Sequence, residues 1–128
     1  MSSSRARVLI VEDEESVRLL IARILTEDLK VEVQLAGTCE QALRFARASA
    51  YDAILLDLLM PGVGGRAVLA EIRQGTTPNR KTPIVIVSQV SDQDTIDSCI
   101  AAGANAYHVK PVRRAELTKT VKAQLGHG

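Results

Sequence analysis

Short apolar runs alternate along the chain with longer segments in which apolar residues recur every three or four positions. Residues 53–56 form one such run, which ends at Asp57 and is followed closely by the chain-breaking pair Pro61 and Gly62. A continuous apolar run of this length predicts a strand buried on both faces. Five strands are predicted, at 8–11, 31–35, 53–56, 83–88 and 106–109.

Amphipathic segments separate these strands. The first predicted helix covers about 15–28, where apolar residues recur at helical spacing: Val17, Leu20, Ile21, Ile24 and Leu25. Four more helices follow, and the last three end at Gly75, Gly103 and Gly126. This alternation implies a parallel sheet with right-handed crossovers and helices on both faces. We predict an α/β, flavodoxin-like, doubly wound five-stranded sheet in the order 2-1-3-4-5, with five helices.

Local signals refine two of the helices. Thr38 followed by Gln41 fits a capping box at the start of helix two. Ser91 or Asp92 can cap helix four. The inner face of helix four is predicted to include Ile96, Cys99 and Ile100.

The composition fits one globular domain of 128 residues, with 46% hydrophobic and 24% charged residues. We predict a single domain at 7–125, a disordered tail at 1–6 and a flexible C-terminus at 126–128. A net charge of +1 gives no electrostatic case for nucleic acid. No apolar run approaches membrane length, so we expect a cytoplasmic protein without membrane contact. Cys39 and Cys99 lack metal-ligand spacing, and small buried hydrophobes are the favoured interpretation.

Polar residues follow four of the predicted strands: Glu12 and Asp13, Asp57, Ser88, and Lys110. In a parallel sheet these strand ends lie on one edge, where open α/β sheets bind their ligands. Carboxylates brought together repel one another unless a cation lies among them, and Mg²⁺ prefers such oxygen ligands. An oxygen nucleophile, a metal and a fixed cation are what phosphoryl transfer requires. We therefore predict that Asp57 accepts a phosphoryl group.

Each of these residues taken alone has an ordinary explanation. An aspartate after a strand is usually a turn former, and acids before a helix favour its positive end. Lys110 alone would be a solvated side chain. The prediction of a phosphoryl-accepting site depends on all of these residues lying at the same edge of the sheet.

Four motifs in this chain resemble the receiver domain of bacterial two-component response regulators. The resemblance spans about Arg7 to Leu125, with the motifs in the family's order. The chemotaxis member of the family has the strand order 2-1-3-4-5, so our predicted order is not independent of the resemblance. The motifs are Val11-Glu12-Asp13-Glu14, Leu56-Asp57-Leu58-Leu59-Met60-Pro61, Val87-Ser88 and Tyr107-His108-Val109-Lys110-Pro111.

The resemblance implies a role for each site residue. Asp57 would take a phosphoryl group from a sensor histidine kinase, a phosphotransfer protein or a small phosphodonor. Asp13 would bind Mg²⁺ directly and Glu12 largely through water, while Asp57 and the backbone carbonyl of Leu59 would complete the protein ligands. Lys110 would pair with Asp57 and then with the phosphoryl oxygens. The only chemistry would be the protein's own phosphorylation and dephosphorylation.

The resemblance also implies a conformational switch. Ser88 would move to bond the phosphoryl group, and Tyr107 would turn inward behind it, which alters the surface of helix four, strand five and helix five. A half-buried strand aromatic is the ordinary alternative for Tyr107. His108 is expected to be a surface residue outside the site. The Lys110–Pro111 bond is expected to be cis, since only proline makes that form cheap.

Three positions depart from the family's usual pattern. Gln89 stands where a small residue is usual, and its amide could hinder access to Asp57 or bond near the phosphate. Leu59 stands where many relatives carry a polar group; our hypothesis is that Leu59 and Val90 shield the acyl phosphate from water. Gly64 replaces a common aspartate, which we interpret as a loop change of little consequence.

Several functions compete with the switch. The alternative is a receiver-like adaptor that binds protein partners without phosphate, favoured only by Gln89. An aspartate-based phosphohydrolase would need a second aspartate where Leu59 stands, and a flavin site would be repelled by the three acids after strand one. The sequence leaves open whether the output is a separate partner or an absent downstream domain. The resemblance also allows a homodimer of the phosphorylated domain through the face of helices four and five, and the sequence leaves this oligomeric state open.

Overall fold

The computed structural model describes residues 5–126 and contains five strands and five helices in strict alternation. The predicted disordered tail and flexible C-terminus fall largely on residues 1–4 and 127–128, which lie outside the described residues. The strands are β1 Arg7–Val11, β2 Glu32–Ala36, β3 Ala53–Leu56, β4 Ile84–Ser88 and β5 Ala106–Val109. The helices are α1 Glu15–Leu29, α2 Cys39–Ala48, α3 Gly65–Gln74, α4 Gln93–Ala101 and α5 Arg114–Leu125.

The strands form one parallel sheet in the order β2-β1-β3-β4-β5, as predicted. The chain turns back on itself between β1 and β3, since β2 lies on one side of β1 and all later strands lie on the other. In open α/β sheets this point, at the carboxyl ends of the strands, is where a ligand crevice forms.

Two apolar layers, one on each face of the sheet, explain the continuous apolar runs. Along β1, for example, Leu9 points into one layer and Ile10 into the other, and both are fully buried. Helices α2, α3 and α4 cover the first face, whereas α1 and α5 cover the second. Because neighbouring residues of a strand point to opposite faces, every position in a doubly covered strand must be apolar.

The predicted helix caps are largely confirmed. The Gln41 backbone N–H donates to Thr38 Oγ1 at 3.0 Å, and the Thr95 N–H donates to Asp92 at 3.0 Å, so Asp92 rather than Ser91 caps α4. The Gln41 side chain differs from a standard capping box. Its oxygen accepts the Gly37 N–H at 2.8 Å instead of the N–H of Thr38.

Two burial predictions were wrong. Ile100 is 44% exposed, because the last turn of α4 directs Cys99 rather than Ile100 toward the sheet. His108 is buried at 6% exposure and is not a surface residue. It does lie on the face opposite Tyr107, but α5 covers that face, and His108 Nε2 accepts the Arg113 backbone N–H at 3.4 Å. Burial lowers the pKa of His108 below its ordinary value. Cys39 and Cys99 are buried free thiols, as predicted.

A buried amide at the amino-terminal edge of the sheet joins the loop between α3 and β4 to the end of α2 and the loop that follows it. The side chain of Asn79 is inaccessible to solvent. Its oxygen accepts the Tyr51 N–H at 2.8 Å and the Thr82 hydroxyl at 3.0 Å, and its nitrogen donates to the carbonyls of Ala46 and Ser49 at 2.6 and 2.7 Å. All four contacts of this side chain are internal, so the amide replaces the solvent that the loop backbone would otherwise need.

Candidate functional site

Backbone pairing at the carboxyl edge of the sheet brings the predicted acids together. The Asp57 N–H donates to the Val11 carbonyl at 3.0 Å, and the Glu12 N–H donates to the Ala36 carbonyl at 3.0 Å. These bonds continue the strand pairing for one residue beyond β1 and β3. Glu12 and Asp57 therefore emerge side by side where the chain reverses direction.

Three carboxylates meet at this edge. Oxygens of Glu12, Asp13 and Asp57 all lie within 4.8 Å of one another. Glu12 and Asp57 are only 2% and 4% exposed, whereas Asp13 is open to solvent. Two of the three acids are thus held away from water, where their mutual repulsion is weakly screened.

Lys110 provides the single cation that touches these acids within residues 5–126. Its Nζ lies 2.8 Å from Glu12 Oε1 and 3.3 Å from Asp57 Oδ2, and its side chain is 11% exposed. The Lys110 N–H donates to the Ser88 carbonyl at 2.8 Å, and the following bond to Pro111 is cis, as predicted. The ammonium is shared by two carboxylates, and the shorter contact is to Glu12 rather than to Asp57.

The pKa values reflect this crowding. Burial raises the pKa of Glu12; the nearby Asp57 charge acts in the same direction, and the hydrogen bond from Lys110 opposes both. Burial alone would lower the pKa of Lys110, but its contacts with Glu12 and Asp57 outweigh that effect and raise it. The single Lys110 ammonium therefore does not fully offset the free-energy cost of burying these carboxylates beside one another.

A divalent cation fits this donor set. Three carboxylates and one ammonium leave an excess of negative charge, two of the acids are buried, and all the ligand atoms are hard oxygens. Mg²⁺ uses a small number of protein carboxylates and keeps several waters, and the exposed Asp13 leaves the site open to solvent on one side. The predicted fourth ligand, the Leu59 carbonyl, belongs to the turn directly after Asp57, where the Leu59 N–H donates to Asp57 Oδ1 at 3.2 Å.

The backbone of Gly65, the first residue of α3, packs directly against the backbone of Asp57. A Cβ atom on Gly65 would lie 2.1 Å from the Asp57 carbonyl oxygen, which no side chain tolerates. The Gly65 N–H also donates to the Leu58 carbonyl at 3.0 Å. A double glycine before an apolar helix was the only sequence signal for this close approach.

Ser88 and Tyr107 are linked through the loop after β4. Ser88 is fully buried, and its Oγ accepts the Val90 N–H at 3.2 Å. The Tyr107 hydroxyl donates to the Val90 carbonyl at 2.6 Å, and its half-buried ring packs against the core under α2, α3 and α4. Burial raises the pKa of Tyr107, which keeps the hydroxyl protonated as a donor. The structure thus bonds both predicted switch residues to the backbone of one residue, Val90, on either side of its Cα.

The residues that depart from the family pattern surround the acids. Leu59 is 56% exposed, and Gln89 is exposed as well. Gln89 lines an open groove of about 530 Å³ beside Lys110. The other residues along this groove are Glu14, Val17, Leu20, Pro111 and Val112. Leu20, interpreted from the sequence as part of an apolar helix face, is 45% exposed there.

Arg18 was missed by sequence reasoning. Its guanidinium Nη1 donates to the backbone carbonyl of Glu12 at 2.8 Å and, with a longer contact of 3.4 Å, to that of Asp13. The side chain reaches back from α1 to the loop that carries both acids. An arginine among the polar residues of an amphipathic helix gives no sequence signal for such a role.

This sheet, with its acids, lysine and hydroxyl on one edge, has the flavodoxin-like architecture of receiver domains. The family model described as "Response regulator receiver domain" matches residues 8–122, and the chain belongs to this family. Receiver domains are parts of two-component systems and pair with sensor histidine kinases. Within residues 5–126, no helix combines the length and apolar character that a membrane crossing needs.

Individual relatives agree with this assignment. The sensory/regulatory protein RpfC of Xanthomonas campestris pv. campestris is 34% identical over 116 residues, which is 90% of this chain and 16% of RpfC. The chain therefore spans less than a fifth of that relative's length.

Two solved receiver structures contain magnesium. The receiver domain of the Pseudomonas aeruginosa sensor histidine kinase PA1611, with a magnesium ion in its active-site cleft, is 32% identical with a TM-score of 0.85, covering 96% of this chain and 99% of that one. The response regulator TrrA of Thermotoga maritima, in complex with Mg²⁺ and BeF, is 32% identical with a TM-score of 0.82, covering 94% and 99%.

Proposed function

We propose that this receiver domain is a phosphorylation-activated switch in which Asp57 accepts the phosphoryl group. One observation carries the proposal. The Asp57 carboxylate is buried among two other acids within 4.8 Å, yet one of its oxygens lies 3.3 Å from the Lys110 ammonium. A purely structural aspartate would gain nothing from two neighbouring carboxylates, since they oppose its charge.

The donor in this proposal is a phosphohistidine on a sensor histidine kinase or a phosphotransfer protein. An oxygen of Asp57 forms a bond to phosphorus as the bond between phosphorus and the donor's imidazole nitrogen breaks. That nitrogen keeps the electron pair and takes up a proton. Lys110 stabilises the charge on the phosphoryl oxygens, and water later attacks phosphorus, which restores the carboxylate and releases inorganic phosphate.

Mg²⁺ is the proposed cofactor, supported by the donor set described above and by the magnesium in the two related structures. Glu12, Asp13, Asp57 and the Leu59 carbonyl would hold it. When bound, it would offset the negative charge of the acids and the incoming phosphoryl oxygens, which Lys110 alone does not balance.

The proposed output begins at Ser88. If its hydroxyl turns to bond a phosphoryl oxygen, its contact with the Val90 N–H weakens, and Val90 is the residue to which the Tyr107 hydroxyl is bonded. A change at Asp57 would then reach α4 and β5 through the backbone of Val90. The surface of α4, β5 and α5 carries the exposed apolar residues Ile100 and Val109. We propose it as the contact for an output partner or for a second phosphorylated copy.

Intact mass spectrometry after incubation with acetyl phosphate and Mg²⁺ tests the central step. We expect the wild-type chain to gain one phosphoryl group. Asp57→Asn, or omission of the metal, should abolish the gain. Asp52→Asn is the matched control: Asp52 lies at the opposite end of β3 and is exposed, so the gain should persist. Mass is the suitable signal because the chain has no tryptophan to report by fluorescence.

The experiment also separates the competing functions. If the wild-type chain gains no mass, and beryllofluoride with Mg²⁺ leaves its NMR spectrum unchanged, the phosphate-independent adaptor is favoured. Gln89→Ala then asks whether the exposed amide beside Lys110 blocks access to Asp57.

A further inference from the structure

Asp13 is held differently from the other two acids of the site. The Glu12 carboxylate accepts bonds from Lys110 and from the Glu14 N–H, and the Asp57 carboxylate accepts bonds from Lys110 and the Leu59 N–H. Within residues 5–126, the Asp13 carboxylate has no such partner. The direction in which it points is therefore set by the backbone of the loop between β1 and α1.

Arg18 holds that backbone. Its guanidinium donates to the carbonyls of Glu12 and Asp13 at 2.8 and 3.4 Å. These two carbonyls belong to the peptide units on either side of the Asp13 Cα, so the bonds from Arg18 restrain the direction of the Asp13 Cα–Cβ bond. Both carbonyls accept bonds from Arg18 of α1, and oxygens of the three carboxylates lie within 4.8 Å of one another.

The loop between β2 and α2 provides the space for Arg18. A Cβ atom on Gly37 would lie 3.0 Å from Arg18 Nη1 and 3.5 Å from its Cζ. Gly37 is not among the residues of positive φ, so its backbone would accept alanine. What glycine provides here is room for the guanidinium, and the same loop is bonded to the site through the Glu12 N–H and the Ala36 carbonyl.

From these contacts we infer that Arg18 is a positioning residue for the metal and phosphoryl site, and that Gly37 supports this role because it leaves room for the guanidinium. The inference rests on the proposed function, since it concerns the same acids. Arg18 orients Asp13 by bonding its backbone and does not itself contact the metal or the phosphoryl group.

The direction in which Mg²⁺ affinity changes when Arg18 is replaced distinguishes a positioning role from a purely electrostatic one. A positive guanidinium near the acids repels a cation, so removing it should strengthen Mg²⁺ binding if charge is all that Arg18 contributes. If Arg18 instead orients Asp13, removing it should weaken Mg²⁺ binding, even though the site becomes more negative.

The experiment is an NMR titration of the full chain with Mg²⁺ alone, for wild type, Arg18→Gln, Gly37→Ala and the double variant. We expect Arg18→Gln to weaken Mg²⁺ affinity by roughly tenfold, the lower end of what residues supporting metal ligands contribute. Gly37→Ala displaces the guanidinium by only a few tenths of an ångström, so we expect a smaller loss, of about threefold. The double variant should bind like Arg18→Gln, because Gly37 acts only through Arg18.

Arg23→Gln is the matched control. Arg23 lies on the same helix and carries the same charge, but its side chain is 75% exposed and pairs with Glu27, away from the site. Its Mg²⁺ affinity should equal that of wild type. If Arg18→Gln fails to fold, Gly37→Ala retains every polar group and carries the test by itself.

The other outcomes are distinguishable. Unchanged or tighter Mg²⁺ binding in Arg18→Gln and Gly37→Ala, with normal binding by wild type, overturns the inference and leaves the proposed function intact. If wild type binds no Mg²⁺ and gains no phosphoryl group, the proposed function fails, and the inference fails with it.

Discussion

Lys110 contacts two carboxylates at once, and its shorter contact is to Glu12 rather than to the proposed phosphoacceptor. In this state the ammonium offsets the charge on Glu12 as well as that on Asp57. A phosphoryl group on Asp57 would add negative oxygens nearby and compete with Glu12 for the same ammonium. At the scale of single residues, the Lys110 ammonium is thus shared between two carboxylates.

Glu12→Gln should make the metal-free protein more stable at neutral pH. Burial and Asp57 raise the pKa of Glu12 above 4.5, so the folded state binds its proton more tightly than the unfolded state does. The stability from this preference is present below the unfolded pKa and is lost as pH rises through the folded pKa. Glutamine removes the buried charge, whose cost grows as pH rises, so at pH 7.5 it should add about 1 kcal/mol to the free energy of unfolding.

Urea unfolding of both proteins without metal, at pH 7.5 and at pH 4.5, measures this effect. The advantage of the glutamine variant should shrink at the lower pH, because a raised pKa favours protonation of Glu12 as pH falls. A variant less stable than wild type at pH 7.5 would show that the ion pair with Lys110 outweighs the cost of burial.

Leu59→Asn should shorten the life of the phosphorylated state several-fold. Leu59 follows Asp57 by two residues and is 56% exposed, so its apolar side chain lies between Asp57 and solvent on our hypothesis, together with Val90. An amide there can bind and orient the attacking water. Intact mass spectrometry after removal of the phosphodonor measures the rate of phosphate loss. An unchanged or slower rate in Leu59→Asn would contradict the shielding hypothesis.

Val63→Asn is the control for that experiment. Val63 lies in the same loop between β3 and α3 and is 65% exposed, so the substitution is chemically comparable. We expect it to leave the dephosphorylation rate unchanged.

At the scale of elements, the loops at the amino-terminal edge depend on the buried amide of Asn79. Four hydrogen bonds join this side chain to the end of α2, the start of β3 and the approach to β4. In the sequence, Asn79 lies in a mostly polar segment, residues 76–81. The composition of a turn does not reveal that one of its side chains is buried, because burial depends on which distant segments pack against it.

Asn79→Ala should lower the free energy of unfolding by about 3 kcal/mol, since it leaves buried backbone groups without partners. Chemical denaturation at neutral pH measures the change. Gln74→Ala, which removes an exposed amide at the end of α3, should change stability by less than about 0.5 kcal/mol. Similar losses for both variants would contradict the role assigned to Asn79.

At the scale of the whole molecule, the site and the α4–β5–α5 surface are joined through Ser88, Val90 and Tyr107. Ser88→Ala should still accept a phosphoryl group, because Asp57 and Lys110 are unchanged. With beryllofluoride and Mg²⁺, however, its amide NMR shifts in α4 and β5 should be much smaller than those of wild type. Shifts of equal size in the variant would exclude Ser88 as the link.

Tyr107→Phe provides the matched variant, since it keeps the ring and removes only the hydroxyl that donates to Val90. It should behave like Ser88→Ala in α4 and β5 while retaining wild-type shifts around Asp57.

The sequence by itself determined the elements, their order and the edge on which the acids meet. Continuous apolar runs require strands covered on both faces, and alternation with helices requires that all strands run parallel. Polar residues at the ends of β1, β3, β4 and β5 must then share one edge, as Glu12, Asp57 and Lys110 do.

Only the tertiary structure decided which groups touch. It showed that Lys110 lies closer to Glu12 than to Asp57, that Arg18 bonds the loop carrying Asp13, and that α5 buries His108. These contacts join residues from separate elements. Periodicity tells which face of an element is apolar, but the path of a long side chain and the cover provided by a neighbouring helix depend on how the finished layers pack.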